Sequence, residues 1–360
     1  MPERIYNFSP GPAILPYSVL QEAAKDVVNF KDKGIGLIEL SHRSKEFMAV
    51  AEEAEQLIRE LLGVPDNYKV LFLQGGASSQ FFMVPMNLLG PGKKATYLNT
   101  GTWAKKAIKE AGLFGDIDVA YSSEDTSFNR VPAPDEYQVD PSSEYLYLVS
   151  NNTIYGTQFA TFPEKDTMLV ADMSSDIFSR PVDVSKFGII FAGAQKNMGP
   201  AGVTPVIIRE DLLDRCNDTV PTMLKYKTHA DKDSMFNTPP CFAVYCVGRV
   251  MNWLKEQGGV AAMQKLNEEK AALLYSAIDA TPFYRGHAET GSRSLMNVTF
   301  NLPTAELEAQ FIAEAAESGL DGLKGHRSIG GCRASIYNAF PKEGVEKLVD
   351  FMAEFARKNS

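Results

Sequence analysis

Phe47, Val50, Ala54, Leu57, Ile58 and Leu61 recur at i, i+3 and i+4 spacings through "SKEFMAVAEEAEQLIRELLGV", which predicts an amphipathic helix stopped by Gly63. The period then changes. "YKVLFLQ" reads as a strand that breaks at "GGASSQ" into an apolar helix, "FFMVPMNLLG". From there "KATYLNTG", "TWAKKAIKEAGLFG", "DIDVAY", "EYLYLVS", "TMLVADMSS", "GIIFAGA" and "VTPVIIR" alternate short β-rich runs with helical or turn-rich stretches. That rhythm predicts an α/β fold, a mostly parallel sheet with helices on both faces.

After Pro240 the texture differs. "CFAVYCVGRVMNWLKEQ" and "VAAMQKLNEEKAALLYSAIDA" are helical, followed by strand, helix, strand and helix patterns in "SLMNVTFNL", "TAELEAQFIAEAAESG", "CRASIYNA" and "KEGVEKLVDFMAEFARKN". The expected organisation is an N-terminal arm (1–15) associated with the small domain, a large domain (16–265) and a small α+β domain (266–360).

Composition narrows the class. A chain of 360 residues with 44% apolar and 22% charged residues suits an ordinary globular protein. "MPERIYNFSPGPAILP" has no apolar h-region, and the best apolar run, "FAVYCVGRVMNWL", carries Arg249 in its middle, so neither a secretory signal nor a membrane span is expected. The four cysteines form no CxxC pair, which argues against a structural zinc and for reduced thiols in the cytoplasm. A net charge of −9 disfavours nucleic acid and anionic membranes as partners, though an anionic small substrate stays open to a local cluster of Arg and His.

Three strand ends carry candidate chemistry, at the position where ligands of open α/β sheets lie. "MLVADMSS" ends in Asp172, "IIFAGAQK" in Lys196, and "LFLQGGASSQ" in a Gly-Gly turn and two serines opening a helix. A helix N-terminus with hydroxyls beside it cradles phosphate. A lysine that condenses with an aldehyde must be neutral when it attacks. Pyridoxal phosphate is such an aldehyde; it needs a carboxylate at its ring nitrogen and an anchor for its phosphate. Gly193, Gly199 and Gly202 are expected to leave Lys196 room to move. Each signal alone has a plainer reading: a solvated lysine, a turn aspartate, a tight βα turn.

The wider motifs decide between these readings. "YNFSPGPAILP", "ELSHRSKEF", "GGASSQFFMVPMNL", "ADMSSDIFSRPVDV", "GAQKNMGPAGVT", "SMFNTPP", "GHRSIGGCRASIYNA" and "GVEKLVDFMAEF" run from Tyr6 to Arg357 and resemble the phosphoserine aminotransferase family, fold-type I pyridoxal phosphate enzymes. The resemblance implies a large domain with a mostly parallel seven-stranded sheet, a smaller α+β domain, and a homodimer with active sites at its interface. It implies amino transfer from L-glutamate to 3-phosphohydroxypyruvate, giving O-phospho-L-serine and 2-oxoglutarate. Some relatives also use 4-phosphohydroxythreonine in pyridoxine synthesis.

Residue by residue, Lys196 resembles the lysine bonded to the cofactor, Asp172 the partner of its ring nitrogen, and Trp103 the aromatic stacked on its ring. Thr153 resembles the hydroxyl at the ring oxygen; Ala77, Ser78 and Gln195 resemble phosphate contacts, with Asn237 and Thr238 supplied by the other subunit. For the substrate, Arg333 resembles the grip on the α-carboxylate. His42-Arg43 and His326-Arg327 would surround the phosphate or the second carboxylate, one pair coming from the neighbouring chain, with Ser9 closing over glutamate. Some members carry arginine where this chain has Ser78, which shifts anion binding towards Arg43 and Arg327.

Rival readings are fewer. An alanine–glyoxylate-type transaminase would have no use for two His-Arg pairs. A cysteine desulfurase needs a mobile nucleophile, and Cys332 opens a predicted strand. Neither GxGxxG nor a Walker lysine is present, since "GPGKK" lacks the spacing, which weighs against a nucleotide-binding dehydrogenase; a phosphate-ligand sensor would have no need of Lys196.

Overall fold

In the computed structural model, which describes residues 4–216 and 219–359, β1 (Tyr68–Leu73), β2 (Lys94–Asn99), β3 (Asp116–Ser122), β4 (Ser143–Val149), β5 (Leu169–Asp172), β6 (Phe187–Phe191) and β7 (Thr204–Arg209) form one seven-stranded sheet. Their order is β1–β7–β6–β5–β4–β2–β3. All neighbours run parallel except β7, which is antiparallel to both β1 and β6. The exception has a local cause. Parallel neighbours require a crossover long enough to hold a helix, but β6 and β7 are joined by residues 192–203 alone, and Ala192 N–H to Pro205 O (3.0 Å) and Ala194 N–H to Val203 O (3.2 Å) extend the ladder into that loop. Lys196 therefore sits in the tip of a hairpin, not at a βα turn.

Side-chain alternation gives the sheet two apolar faces. Phe72, Leu98, Leu148, Ala171 and Ile190 face α1 (Tyr17–Val28), α2 (Lys45–Leu62) and α6 (Cys241–Glu256). Leu73, Tyr97, Tyr147, Val149, Val170 and Phe191 face α3 (Gly76–Leu88), α4 (Thr102–Ala111) and α5 (Tyr226–Ala230). The helix predicted from the 3.6-residue pattern is α2. Ser44 caps it by accepting from Phe47 N–H (3.2 Å), and Gly63 ends it in a left-handed conformation at φ +62°.

The C-terminal unit is a three-stranded antiparallel sheet, β8 (Arg285–Gly286), β9 (Asn297–Asn301) and β10 (Cys332–Ser335), covered by α8 (Ala305–Glu317) and α9 (Lys342–Asn359). Its core includes Phe8, because the arm strand Tyr6–Asn7 pairs in parallel with Leu320–Asp321. The first three residues of the arm lie outside the described residues. Helix α7 (Gly259–Asp279) crosses position 265 unbroken: Met263 packs in the large core, whereas Ala271, Leu274 and Ile278 pack in the small one. We place the division between the two units within this helix. Among the described residues, no helix is long and apolar enough to cross a membrane.

Candidate active site

Beyond the carboxyl ends of β4, β5 and β6 lies a cavity of about 380 Å³. Asp172, Lys196, Ala77, Ser78, Trp103, Thr153, Gln195, His326 and Arg333 all line it.

Asp172 is the last residue of β5 and is buried. Ser174 donates to its Oδ1 twice, from its N–H (2.9 Å) and its hydroxyl (2.6 Å), while Ser174 Oγ accepts from Gly193 N–H (3.0 Å) on the Lys196 hairpin. Both Ser174 donors use Oδ1, so Oδ2 is the oxygen left to meet a ligand. Burial raises the Asp172 carboxyl above its usual range, and the hydrogen bonds from Ser174 and the charge of Lys196 act against it.

Lys196 is half-buried and reaches the cavity from the hairpin tip. Burial lowers its amine to about 8; Asp172 opposes that fall and the positive charge of Arg333 adds to it. A second carboxylate, Asp176, stands behind Asp172. It is held by Ser150 Oγ, by Gln158 Nε2 at 3.0 Å, and by Arg180 at 3.7 Å.

The room around Lys196 does not come from the glycines expected to supply it. A Cβ on Gly199 would meet Val247, and one on Gly202 would face Ala243 and Pro240. Gly193 lies against the Gln195 amide. The glycine on Lys196 is Gly11 of the N-terminal arm, where a Cβ would stand 3.4 Å from Lys196 Cγ at a backbone φ of +141°. Pro10 and Gly11 line the cavity, and Ala13 N–H donates to Gln195 O at 2.8 Å.

At the opposite wall, α3 opens with its N-terminus towards the cavity, placing Gly76, Ala77 and Ser78 on its lining. Gly75 and Gly76 both take positive φ, and a Cβ on Gly75 would fall 2.0 Å from Ser79 Oγ, so the turn that aims these N–H groups depends on glycine. Trp103 Nε1 donates to Thr153 Oγ1 (3.2 Å), which leaves the Thr153 hydroxyl hydrogen for the cavity.

Arg333 comes from β10 of the small sheet and is buried at 6% exposure. One of its amino groups donates to Thr153 O at 3.0 Å, its Nε is buried without a partner, and burial lowers its guanidinium. A buried guanidinium without a carboxylate partner calls for an anionic ligand. His326, half-buried beside it, is held below its ordinary value by burial and by the charges of Arg333, Arg327 and Lys106.

The remaining sequence candidates stand apart from this lining. Arg327 is exposed on the loop after His326. His42, Arg43 and Thr238 make a separate group at the surface, with Arg43 and Thr238 exposed and His42 half-buried: Arg43 Nε donates to His42 Nε2 (3.4 Å), and Thr238 Oγ1 lies 3.3 Å from His42 Nδ1. Asn237 lines a different hollow, beside Gly75, Ser79 and His229. Ser9 lies in a groove with Arg4, Asn7 and Asp321. Sequence reasoning missed Ser174, Asp176, Pro10 and Gly11. The Asp-x-Ser spacing at 172–174, a pattern in which a carboxylate accepts from residue i+2, was the one local signal for Ser174.

The cavity fits pyridoxal phosphate, the group the sequence motifs imply. It has a depressed amine, a buried carboxylate with one oxygen to offer, an indole on one wall, and a helix N-terminus for a phosphate.

A family model described as aminotransferase class-V matches residues 5–348. A phosphoserine aminotransferase of Desulfotalea psychrophila is 74% identical over 359 residues, covering 100% of this chain and 99% of that protein. The solved phosphoserine aminotransferase from Bacillus circulans subsp. alkalophilus is 50% identical with a TM-score of 0.97, covering 99% of each chain. The solved PLP-bound phosphoserine aminotransferase from Trichomonas vaginalis is 41% identical with a TM-score of 0.93, covering 97% of this chain and all of that one.

Proposed function

The chain belongs to the class-V aminotransferases, within their phosphoserine aminotransferase group, and on that premise we propose how its own residues carry out the transfer of an amino group from L-glutamate to 3-phosphohydroxypyruvate. The products are O-phospho-L-serine and 2-oxoglutarate. The observation that carries the assignment of roles is the meeting in one cavity of Lys196, Asp172 and Arg333, whose buried Nε has no partner.

Pyridoxal phosphate, when bound, supplies an aldehyde for an amine and a cationic ring that draws electron density from the substrate's α-carbon. Asp172 Oδ2 would accept from the ring nitrogen and hold that charge in place, helped by the two Ser174 hydrogen bonds that fix the carboxylate. Trp103 would stack on the ring, and the Thr153 hydroxyl would donate to the ring oxygen. The N–H groups at the start of α3, with the Ser78 hydroxyl and Gln195, would hold the phosphate.

Lys196 has two tasks. As a neutral amine it would hold the cofactor through its aldehyde, and as a free amine it would stand as the base for the proton on the substrate's α-carbon. Its lowered proton affinity suits both. Arg333 would fork the α-carboxylate, leaving His326 and Arg327 for the second acid group, which is a carboxylate in glutamate and a phosphate in the keto acid.

His42, Arg43, Asn237 and Thr238, exposed or half-buried outside the cavity, fit the same reading if two copies pair, each lending these side chains to the other's cavity. Exposed Tyr17, Ile38, Met48, Phe236 and Phe242 supply apolar surface for such pairing. We place the enzyme in the cytoplasm on the cysteine pattern already given.

A substrate panel tests the proposal. With glutamate as donor, phosphorylated hydroxypyruvate should be converted at least ~100-fold more efficiently than the unphosphorylated acid, since the unphosphorylated acid forfeits the charge-assisted hydrogen bonds to the phosphate. Equal kcat/KM for the two acids would overturn the assignment of the His-Arg pairs.

A further inference from the structure

Lys270 lies in the middle of α7 with 0% exposure and is not one of the residues lining the cavity. Its amine donates to three main-chain carbonyls, Ile336 O at 2.9 Å, Tyr337 O at 2.7 Å and Phe340 O at 3.1 Å. Only an ammonium carries three N–H donors, so the three acceptors match the charged form. Burial lowers the amine to about 7, with no carboxylate opposing it. Glu269 and Lys342, the charged groups nearest in sequence on α7 and α9, pair with each other at 2.8 Å on the surface. Burying a lone lysine is costly, and a well-packed aliphatic residue would complete the core at lower cost.

The segment this amine holds, residues 336–340, touches the site at two points. Tyr337 OH donates to Pro10 O at 2.6 Å, fixing the arm where Gly11 lies on Lys196. Asn338 N–H donates to Asn197 Oδ1 at 3.0 Å, and Asn197 follows Lys196 in the hairpin tip. Asn267, one helical turn before Lys270, donates to Asn338 Oδ1 at 2.9 Å and so supports the same turn. The carbonyls of 336, 337 and 340 converge on one point, and without a cation between them they would repel and rotate apart.

We propose that Lys270 is a positioning residue for the transamination site: its side chain fastens the 336–340 turn, and the turn in turn sets both the arm over Lys196 and the hairpin that presents it. The inference rests on Lys196 being the reacting amine. It acts through geometry alone, since Lys270 touches none of the cavity-lining side chains and Tyr337 and Asn338 carry its influence.

Lys270→Met in the holoenzyme is the test. The variant keeps the stem's bulk and removes the three donors. A misplacement of the order of an ångström costs up to about 100-fold in rate, so kcat should fall by about 10- to 100-fold while KM for glutamate stays within about threefold. Amide exchange should speed by at least about tenfold at Ala13 and Asn338, with β4 and β5 unchanged. Uniformly faster exchange, or wild-type kcat with a lowered melting temperature, would make Lys270 purely structural and overturn the inference. Should Lys270→Met fail to fold, Tyr337→Phe removes the hydroxyl that donates to Pro10 O and accepts from Asn297 Nδ2 (3.1 Å); unchanged exchange at Ala13 and unchanged kcat there would overturn it equally. A Lys196→Ala control separates the two readings: if that variant stays active, the assigned chemistry fails first.

Discussion

Asp172 and Lys196 reach one cavity from adjacent parallel strands, and each acts on the other's charge. The carboxylate keeps the amine's proton affinity from falling further, and the amine restrains the rise that burial imposes on the carboxylate. Replacing Asp172 by Asn should lower turnover by about 10²- to 10⁴-fold while the Lys196 midpoint drops below about 8, because its main stabilising charge is gone. Turnover is read on the loaded variant, and the Lys196 midpoint from the pH dependence of pyridoxal phosphate capture by the cofactor-free variant. A Lys196 midpoint that stayed put would refute the coupling.

Lys196→Ala should lose the visible absorbance of the bound cofactor and at least about 10⁴-fold in rate, since one side chain serves as both nucleophile and base. Single-turnover measurements with glutamate check it; a rate equal to wild type would end the account.

The lowered amine has a pH signature in the cofactor-free chain. With a midpoint of about 8, about 10% of Lys196 is neutral at pH 7, against about 0.03% for an unperturbed lysine, so capture of added pyridoxal phosphate should rise with pH and level off just above 8. The linked effect on stability has a definite sign. Between about 8 and the ordinary lysine value of 10.5 the unfolded chain holds a proton that the folded one has released, so stability rises with pH there. Below that window the full burial cost is present. Lys196→Met should therefore melt higher than the cofactor-free wild type below pH 8, with the gap closing towards pH 10.

Arg333→Lys should not rescue Arg333→Gln. The planar fork is the feature in use, and either change should cost about 10- to 100-fold in kcat/KM for both amino donor and keto acid. An effect confined to one of the two substrates would move Arg333 away from the carboxylate they share.

Gly11→Ala and Gly199→Ala differ in kind. The first forces a side chain into a positive-φ position against Lys196, and should cost about 1–3 kcal/mol of stability together with about tenfold in rate. The second presses on Val247 in the core and should lower the melting temperature while sparing kcat.

How much of this was legible depended on range. The helix at 45–62 and the strands at 68–73 and 187–191 announce themselves by period, and Asp172 and Lys196 by standing at strand ends. The antiparallel course of β7 was hidden because the Gly-rich run 192–203 carries no period that tells a hairpin tip from a crossover. The Gly11 contact was hidden for a different reason: the arm folds back onto a hairpin nearly the length of the large unit away. His42, Arg43, Asn237 and Thr238 share motifs with the site but sit on the outside of a single chain, where no pattern within one sequence can say what faces them.

The insertion of β7 between β1 and β6 also bears on how the polypeptide emerges from the ribosome. Leu73 pairs with Thr204, so the first strand of this sheet must wait for more than a hundred further residues before its one sheet neighbour among the described residues exists. Until then an apolar ribbon and its unsatisfied amides stay open, the sort of nascent surface that sticks to other chains or is shielded by chaperones. Closure of the sheet is thus a late event in biogenesis, and it is the same event that shapes the hairpin bearing the reactive amine.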